Sequence, residues 1–252
     1  MTDQLKRLAK EINWPLGKVT KTVELLDEGN TIPFIARYRK EVTGEMDEVV
    51  LRQLAERLQY LRNLEQRKTD VLHSIDEQCK LTAELEQKIQ AAELLQEVED
   101  LYLPYKQKRK TRASAAREKG LEPLALAILE GTHTASAQET ANLYIDEATG
   151  VTTAEEALQG AMDIIAEILA DDAELRKLAR QLAQKDGILE TKLRKTLDEA
   201  ETTPYEMYYA YSEAVKKIPP HRVLAINRGE KEEVLSVKIE QPAEPVLAAI
   251  AR

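Results

Sequence analysis

A run of cations between residues 102 and 117, YLPYKQKRKTRASAAR, contains the residue types that bind phosphate groups. Its six Lys and Arg residues, with no Asp or Glu among them, are Lys106, Lys108, Arg109, Lys110, Arg112 and Arg117. Cations neutralise nucleic-acid phosphates and release counterions, and the flanking Tyr102 and Tyr105 could stack on unpaired bases. The sequence therefore predicts nucleic-acid contact through these cations and Tyr105. The alternative is a solvated loop, or one that docks on the acidic second half of the chain.

A second cationic segment, TIPFIARYRKEVTG (residues 31–44), places Arg37, Arg39 and Lys40 beside the only Phe of the chain, Phe34. One interpretation is that these three cations contact an anionic partner such as nucleic acid. The other is that they form the solvated edge of a packed helix, where Glu41 could pair with Arg37 because the two are four residues apart. Both interpretations remain open at this point.

Residue patterns for catalysis are missing from the sequence. The histidines His73, His133 and His221 are far apart, and the single Cys79 excludes an internal disulfide and a four-cysteine zinc site. There is no glycine-rich phosphate loop and no G-x-S-x-G sequence. We therefore predict no enzymatic activity, no metal site and no cofactor.

Charge is unevenly distributed along the 252 residues, whose net charge is −9. Residues 1–120 hold 22 Lys and Arg against 21 Asp and Glu, whereas the remainder holds 14 against 24. A nucleic-acid surface is thus expected in the first half. The start of the chain does not resemble a secretory signal, and no apolar run reaches the roughly eighteen residues that span a membrane. We expect a cytoplasmic protein without membrane contact.

The apolar spacing predicts a mainly α fold, with a multi-helical scaffold over residues 1–220. Asp47 and Thr82 are predicted to cap the two helices of a long helical hairpin centred on residues 47–92. Pro33 is predicted to open one short helix that continues to the Thr-Gly pair of the segment 31–44.

Residues 112–130 resemble a helix-turn-helix. Ala116, Gly120 and Leu126 take the positions of the small residue at the helix crossing, the turn residue and the apolar residue that locks the second helix. The second helix, PLALAILEG, is almost uncharged and would read base edges poorly. We interpret the pair as packing.

Strands are indicated only near the end of the chain. HRVLAINRGEKEEVLSVKIE (residues 221–240) alternates apolar and polar residues on both sides of residues 228–231, which predicts a small β-hairpin packed on the helices. Residues 188–212 are ambiguous. The last stretch, QPAEPVLAAIAR (residues 241–252), is expected to be the start of a truncated following element, so the chain is expected to be a fragment.

Several longer motifs, taken in order, resemble one known family. IPFIARYRKEVTG, VEDLYLPYK, KRKTRA, AREKGLEPLA and HRVLAINRGEKE resemble the N-terminal region of the Tex family of bacterial transcription accessory proteins. The resemblance runs from about residue 5 to residue 240. Glu45 and Gln107 depart from it, standing where Gly and Pro are usual. Family members usually continue into an RNase H-like domain, helix-hairpin-helix repeats and an RNA-binding OB-fold module, which this sequence does not contain.

The resemblance implies a cytoplasmic protein that is linked to transcription and binds DNA or RNA, related to a eukaryotic transcription elongation factor. It also implies weak binding by this chain, because much of the family's affinity is attributed to the C-terminal module. We therefore expect a non-enzymatic scaffold region that binds nucleic acid in the context of the full-length protein. The alternative is a protein–protein interaction module for RNA polymerase or other transcription or translation machinery, with nucleic-acid binding supplied only by the downstream domains.

Overall fold

Helices dominate the architecture. The computed structural model describes residues 2–131, 136–194 and 203–251, and the chain divides into two compact units, Met1–Glu99 and Asp100–Arg252. Within these described ranges lie fourteen α-helices and one three-stranded sheet, so the predicted mainly α fold is confirmed. No helix of the described residues combines the length and the apolar character needed to cross a bilayer.

The first unit consists of amphipathic helices around one apolar core. They are α1 (Thr2–Glu11), α2 (Leu16–Asp27), α3 (Ile32–Tyr38), α4 (Lys40–Thr43), α5 (Glu48–Asp76), α6 (Ala83–Ala91) and the beginning of α7 (Leu95–Tyr102). Leu8, Val19, Ile35, Leu51 and Leu54 are fully buried together. Branched aliphatic residues therefore supply the core of this unit, as the low aromatic content requires.

The predicted helical hairpin is confirmed. The Asp47 side chain accepts a hydrogen bond from the amide of Val50 and starts the 29-residue α5. Thr82 accepts from the amide of Leu85 and starts α6. The apolar residues of α5 recur every three or four positions and are buried; they include Leu51, Leu54, Leu58, Leu61 and Leu64. This spacing forms one apolar stripe along the helix, which needs partner helices to cover it.

The helix predicted from Pro33 to Thr43-Gly44 is interrupted at Arg39. This residue leaves the helical conformation, with φ −128° and ψ 24°, and separates α3 from α4. Its amide still donates to the carbonyl of Ile35 (3.0 Å), so the backbone turns without losing the last hydrogen bond of α3. The predicted end is correct, since Gly44 adopts φ +77° and terminates α4.

In the second unit, shorter helices pack on one central helix, α11. The helices are α8 (Arg112–Glu118), α9 (Glu122–Leu129), α10 (Ala137–Ala141), α11 (Ala154–Asp171), α12 (Ala173–Asp186), α13 (Pro220–Lys231) and α14 (Ala243–Ile250). Helices α8, α9 and α10 contact α11 around the buried Ala116, Leu124 and Ala161. A Cβ atom on Gly160 would lie 2.4 Å from Cδ1 of the buried Leu121, so a larger residue there would require the Leu121 side chain to shift.

A buried carboxylate attaches α12 to the beginning of the second unit. Asp100 is buried, and it accepts hydrogen bonds from Nε of Arg176 (2.8 Å) and from Arg180. Both arginines belong to α12. Because an unpaired buried charge is costly, the two arginines are a condition for keeping Asp100 in this position.

The sheet contains β1 (Ile188–Leu193), β2 (Ala210–Ala214) and β3 (Leu235–Glu240), in the order β2-β1-β3 with both pairs antiparallel. On the central strand, Ile188 pairs with Ala214 on one side and with Glu240 on the other. The ambiguous residues 188–212 thus supply the central strand and the beginning of an edge strand.

The β-hairpin predicted for residues 221–240 is wrong. Its first half belongs to helix α13, and only its second half is a strand, which pairs with β1. Ile226 and Gly229 are the buried residues of α13. A Cβ atom on Gly229 would lie 2.7 Å from Cδ1 of Leu235, so this glycine marks a close helix–strand contact rather than a turn.

Glu11 joins α1 to α5. Its carboxylate accepts hydrogen bonds from Nη2 of Arg57 (2.8 Å) and Nε of Arg7 (2.9 Å). The Arg57 hydrogen bond holds the pKa of Glu11 at about 2, below its usual 4.5, although partial burial acts in the opposite direction. Folding therefore favours the ionised carboxylate.

We predict that Glu11→Gln removes a pH-dependent contribution to stability. A depressed pKa contributes stability that is complete above the unfolded-state value near 4.5 and is lost as the pH falls towards 2. Solvent screening of this partly exposed pair limits the loss at pH 7 to about 1 kcal/mol. Urea unfolding between pH 7 and pH 3 should show the wild-type advantage shrinking as the pH falls. Glu24→Gln, which changes an exposed carboxylate of α2 that has no ion-pair partner among the described residues, is the control and should leave stability nearly unchanged at each pH. The same pH trend in both variants would contradict the assignment.

Candidate nucleic-acid interface

One side of α11 carries three carboxylates that face the basic stretch 102–117. Asp163, Glu167 and Asp171 are four residues apart, so they form a line on one helical face, and their side chains are only 15–16% exposed. We call this line the acidic stripe. The alternative in which the cations dock on the acidic second half is therefore correct for part of the basic stretch.

Two cations are held by the acidic stripe. Arg117 donates from Nη1 to Oε1 of Glu167 (2.6 Å). Lys108 makes a short contact with Asp171, and its Nζ lies 3.7 Å from Oε2 of Glu167. Their positive charges are therefore largely neutralised by carboxylates of the protein itself. We refer to Lys108 and Arg117 as the docked cations.

Thr111 fixes the backbone between the docked cations. It caps α8 by accepting from the amide of Ser114 (3.0 Å), while Oγ of Ser114 accepts from the amide of Thr111 (2.8 Å), which completes a capping box. The Thr111 hydroxyl also donates to Oε2 of Glu167 (3.0 Å). The start of α8 is thus attached to α11 at the same carboxylate that holds Arg117.

Glu167 is ionised more readily than a free glutamate. Partial burial alone would raise its pKa, but the hydrogen bonds from Arg117 and Thr111 and the charge of Lys108 outweigh it, so the pKa of Glu167 lies below its usual 4.5. The same interaction raises the pKa of Arg117. This carboxylate therefore stays charged at neutral pH and keeps attracting the docked cations.

The other cations of the basic stretch face solvent. The side chain of Lys110 is 75% exposed and lies 3.5 Å from Glu118, and that of Arg112 is 84% exposed and lies 3.7 Å from Asp163. Lys106 and Arg109 are exposed as well, whereas Tyr105 is half-buried. The Lys110 pair is exposed on both sides and therefore weak, and the Arg112 guanidinium faces solvent although Asp163 does not, so both charges remain accessible. We refer to Lys106, Arg109, Lys110 and Arg112 as the presented cations.

An open cavity of about 720 Å³ lies between the basic stretch and α11. Four of its lining residues are the docked Lys108 and Arg117 and the presented Lys106 and Arg109. Its wall thus contains docked and presented groups side by side. A single anion entering it would meet the carboxylates of the acidic stripe as well as the cations.

The second candidate group lies in the first unit. Arg37, Arg39 and Lys40 are exposed, and none forms an ion pair with an acid of the described residues. The pair between Arg37 and Glu41, one of the two open interpretations, is not formed. The guanidinium carbons of Arg37 and Arg39 instead lie over aromatic rings, that of Arg39 at 5.2 Å from the Phe34 centroid.

Residues 112–130 contain two short helices, α8 and α9, with Gly120 at φ +78° between them. Ala116 is buried where α8 packs on α11, since a Cβ atom on Gly160 would lie 3.3 Å from its Cβ, rather than at a crossing with α9. Leu126 is 40% exposed, however, and Leu121 and Leu124 lock the second helix instead. Because the buried face of α9 is used against α11, the interpretation of this pair as packing agrees with the structure.

Metal-ligating side chains are not clustered in the part of the chain that the structure describes. In the ranges 2–131, 136–194 and 203–251, no group of three or more His, Cys, Asp or Glu side chains could hold a metal ion. His73 lies on the surface beside Glu77 (3.3 Å). His133 lies outside the described residues.

Sequence reasoning identified the cations but missed their partners. The acidic stripe is visible in the sequence only as three acids at intervals of four, 50 to 63 residues after the cations that they hold, and helices with such acids are common on protein surfaces. Thr111 was also missed as a contact of Glu167, although its capping role has a local signal in Ser114.

Fold and site together define a mainly helical scaffold with a cationic segment anchored on an acidic helix face. Residues 2–76 match the family model described as the Tex-like protein N-terminal domain, and residues 132–251 match the one described as Tex central region-like. The chain belongs to the Tex family, as its motifs predicted.

Sequence similarity to individual relatives covers most of the chain. The chain is 50% identical over 247 residues to an uncharacterised protein, YdcI, of Bacillus subtilis, covering 98% of this chain and 34% of that protein. It is 43% identical over 233 residues to the transcriptional accessory protein Tex of Neisseria gonorrhoeae, covering 92% and 30%. The human S1 RNA-binding domain-containing protein 1 is 30% identical over 244 residues, covering 94% and 24%. The chain thus spans about a third or less of the length of these relatives.

We predict that docked and presented cations differ in their effect on stability. Lys108→Ala leaves the poorly exposed Asp171 and Glu167 short of a counter-charge and should lower the free energy of unfolding by about 1–2 kcal/mol. Arg109→Ala removes one charge from the adjacent residue, which faces solvent, and should change it by less than about 0.5 kcal/mol. Urea unfolding of both variants at pH 7 measures the difference. Equal effects of the two substitutions would mean that the acidic stripe does not hold Lys108 in solution.

Proposed function

We propose that this chain is a non-enzymatic scaffold region of a transcription accessory protein and that it contacts nucleic acid through the presented cations. The observation that carries the proposal is the separation of the basic stretch into docked and presented cations. A relative in Neisseria gonorrhoeae bears the name transcriptional accessory protein, and the human relative bears the name of an RNA-binding domain. A cytoplasmic location goes with this function.

Docking supports binding because it orders the segment in advance. Lys108, Arg117 and Thr111 hold the backbone against α11, so little conformational entropy remains to be lost when the presented cations meet phosphates. Each cation that neutralises a phosphate releases counterions, which makes binding sensitive to salt. Because the acidic stripe lies beside these cations, binding by this chain alone is expected to be weak.

The same acidic stripe favours a second candidate function. Since Asp163, Glu167 and Asp171 neutralise part of the basic stretch, the net positive charge of this surface is small. A protein–protein interaction module for RNA polymerase or other transcription or translation machinery does not need such a charge. In that case nucleic-acid binding would be supplied by other parts of the protein.

The decisive measurement is a salt series. The triple variant Arg109→Ala/Lys110→Ala/Arg112→Ala is compared with the wild type in fluorescence anisotropy titrations on single- and double-stranded DNA and RNA. If each side chain neutralises one phosphate, the slope of log affinity against log salt should flatten by about 2–3 units. The loss should be similar for different base sequences, because phosphate contacts carry no sequence information.

The control takes the same number of charges from other exposed positions. Lys80→Ala/Lys185→Ala/Lys216→Ala should leave the slope at its wild-type value, since these residues lie outside the basic stretch. An unchanged slope in the folded Arg109/Lys110/Arg112 variant would exclude the presented cations as the nucleic-acid surface. A wild-type chain that binds no nucleic acid even at low salt would favour the protein–protein interaction module.

A further inference from the structure

Two aromatic rings and two guanidinium groups form one exposed cluster on α3. The ring centroids of Phe34 and Tyr38 are 5.3 Å apart. The guanidinium carbon of Arg39 lies 5.2 Å from the Phe34 centroid, and that of Arg37 lies 5.9 Å from the Tyr38 centroid. These distances are within the range of cation–π contacts. We call these four residues the aromatic platform.

The interruption of the helix at Arg39 makes the aromatic platform possible. In a continuous helix a residue five positions after Phe34 would point about 140° away from it. The non-helical φ of −128° at Arg39 changes this direction and brings the guanidinium over the ring. A hydrogen bond from Nη1 of Arg39 to the carbonyl of Tyr38 (3.3 Å) helps to hold it there.

Exposure of the aromatic platform is unusual for its residue types. Tyr38 is 59% exposed, and Phe34, the only Phe of the chain, is half-buried. Their helix is nevertheless fixed, because Ile35 between them is fully buried in the core of the first unit. A rigid helix therefore presents aromatic surface to solvent at a hydrophobic cost that a bound partner would remove.

Charge identifies the chemistry of that partner. Arg37, Arg39 and the adjacent Lys40 form no ion pair with the acids of the described residues, in contrast to the docked cations of the second unit. Planar rings with accessible guanidinium groups match a ligand that combines flat bases with phosphates. Bases of a duplex are stacked on each other and cannot reach such a surface.

We propose that the aromatic platform binds unpaired nucleotides of single-stranded nucleic acid by base stacking, an inference that rests on the proposed nucleic-acid function. A base stacks on Tyr38 or on the outer face of the Arg39 guanidinium, and the flanking phosphates contact Arg37 and Lys40. This assigns to the first unit a preference for single strands that the presented cations, as phosphate contacts, do not provide.

The test compares substitutions at Tyr38, the most exposed ring. Tyr38→Ala and Tyr38→Leu remove the ring, and Tyr38→Phe keeps it without the hydroxyl. Stacking predicts that the first two raise the Kd for a single-stranded twelve-nucleotide DNA or RNA at least about fivefold. The Kd for the duplex of the same sequence should not change, and Tyr38→Phe should behave as the wild type. A 2-aminopurine base in the single strand should be quenched by the wild type and by Tyr38→Phe only.

Several outcomes would overturn the proposal. If Tyr38→Phe binds as weakly as Tyr38→Ala, or Tyr38→Leu as tightly as the wild type, the ring does not stack. Equal weakening for single strand and duplex would likewise exclude a preference for unpaired bases. If a fluorescein-labelled hexaglutamate peptide, but no oligonucleotide, binds in a Tyr38-dependent manner, the aromatic platform is a protein-docking surface.

The two nucleic-acid proposals can fail separately. Suppose that the Arg109/Lys110/Arg112 triple variant keeps the wild-type salt slope while single-strand binding depends on Tyr38. This result would support the aromatic platform as a binding surface and exclude the presented cations. If the slope flattens in the triple variant and binding does not depend on Tyr38, only the proposal for the aromatic platform is excluded.

Discussion

Poorly exposed carboxylates must have cationic partners, and this requirement determines the arrangement of the second unit. Glu167 receives hydrogen bonds from Arg117 and Thr111, while Lys108 reaches both Glu167 and Asp171. Asp100 meets the same requirement through arginines of α12. Since removing one partner leaves a charge that is costly to bury, these contacts hold α8 and α12 where they are. Only those cations of the basic stretch that are not held by these carboxylates can bind an external ligand.

The motifs that carry the family resemblance are therefore explained in large part by folding. Asp100 of VEDLYLPYK is the buried partner of two arginines, and Gly229 of HRVLAINRGEKE permits a helix to touch β3. Arg117 of AREKGLEPLA is a docked cation. None of these residues needs a ligand to account for its type. Membership of the family is thus compatible with either proposed function, and only the solvent-facing residues within the motifs distinguish between them.

Local signals in the sequence predicted local structure well. Asp47 and Thr82 start the helices that they were predicted to cap, because a cap depends on residues within one turn. The β-hairpin prediction was wrong because β3 pairs with β1, which lies more than 40 residues earlier in the chain. A pairing over that distance leaves no local pattern in the sequence. Gly229 contributed to the error, since the sequence alone does not separate a glycine needed for a turn from one needed for close packing. The acidic stripe was missed for the same reason of distance.

The candidate site also depends on contacts between residues that are far apart in the sequence. Its residue types were predicted, yet whether a cation is docked or presented depends on which carboxylates the fold brings near it. At Arg39 the difference arises from one backbone residue: a continuous helix would direct its side chain away from Phe34, and the interruption directs it over the ring. Cations paired with acids stabilise a fold, whereas cations that lie over exposed rings keep their charge accessible and add a flat surface beside it. The docked cations and the aromatic platform thus use similar residues for different physical ends, and the presence of acids close enough to pair with the cations decides between them.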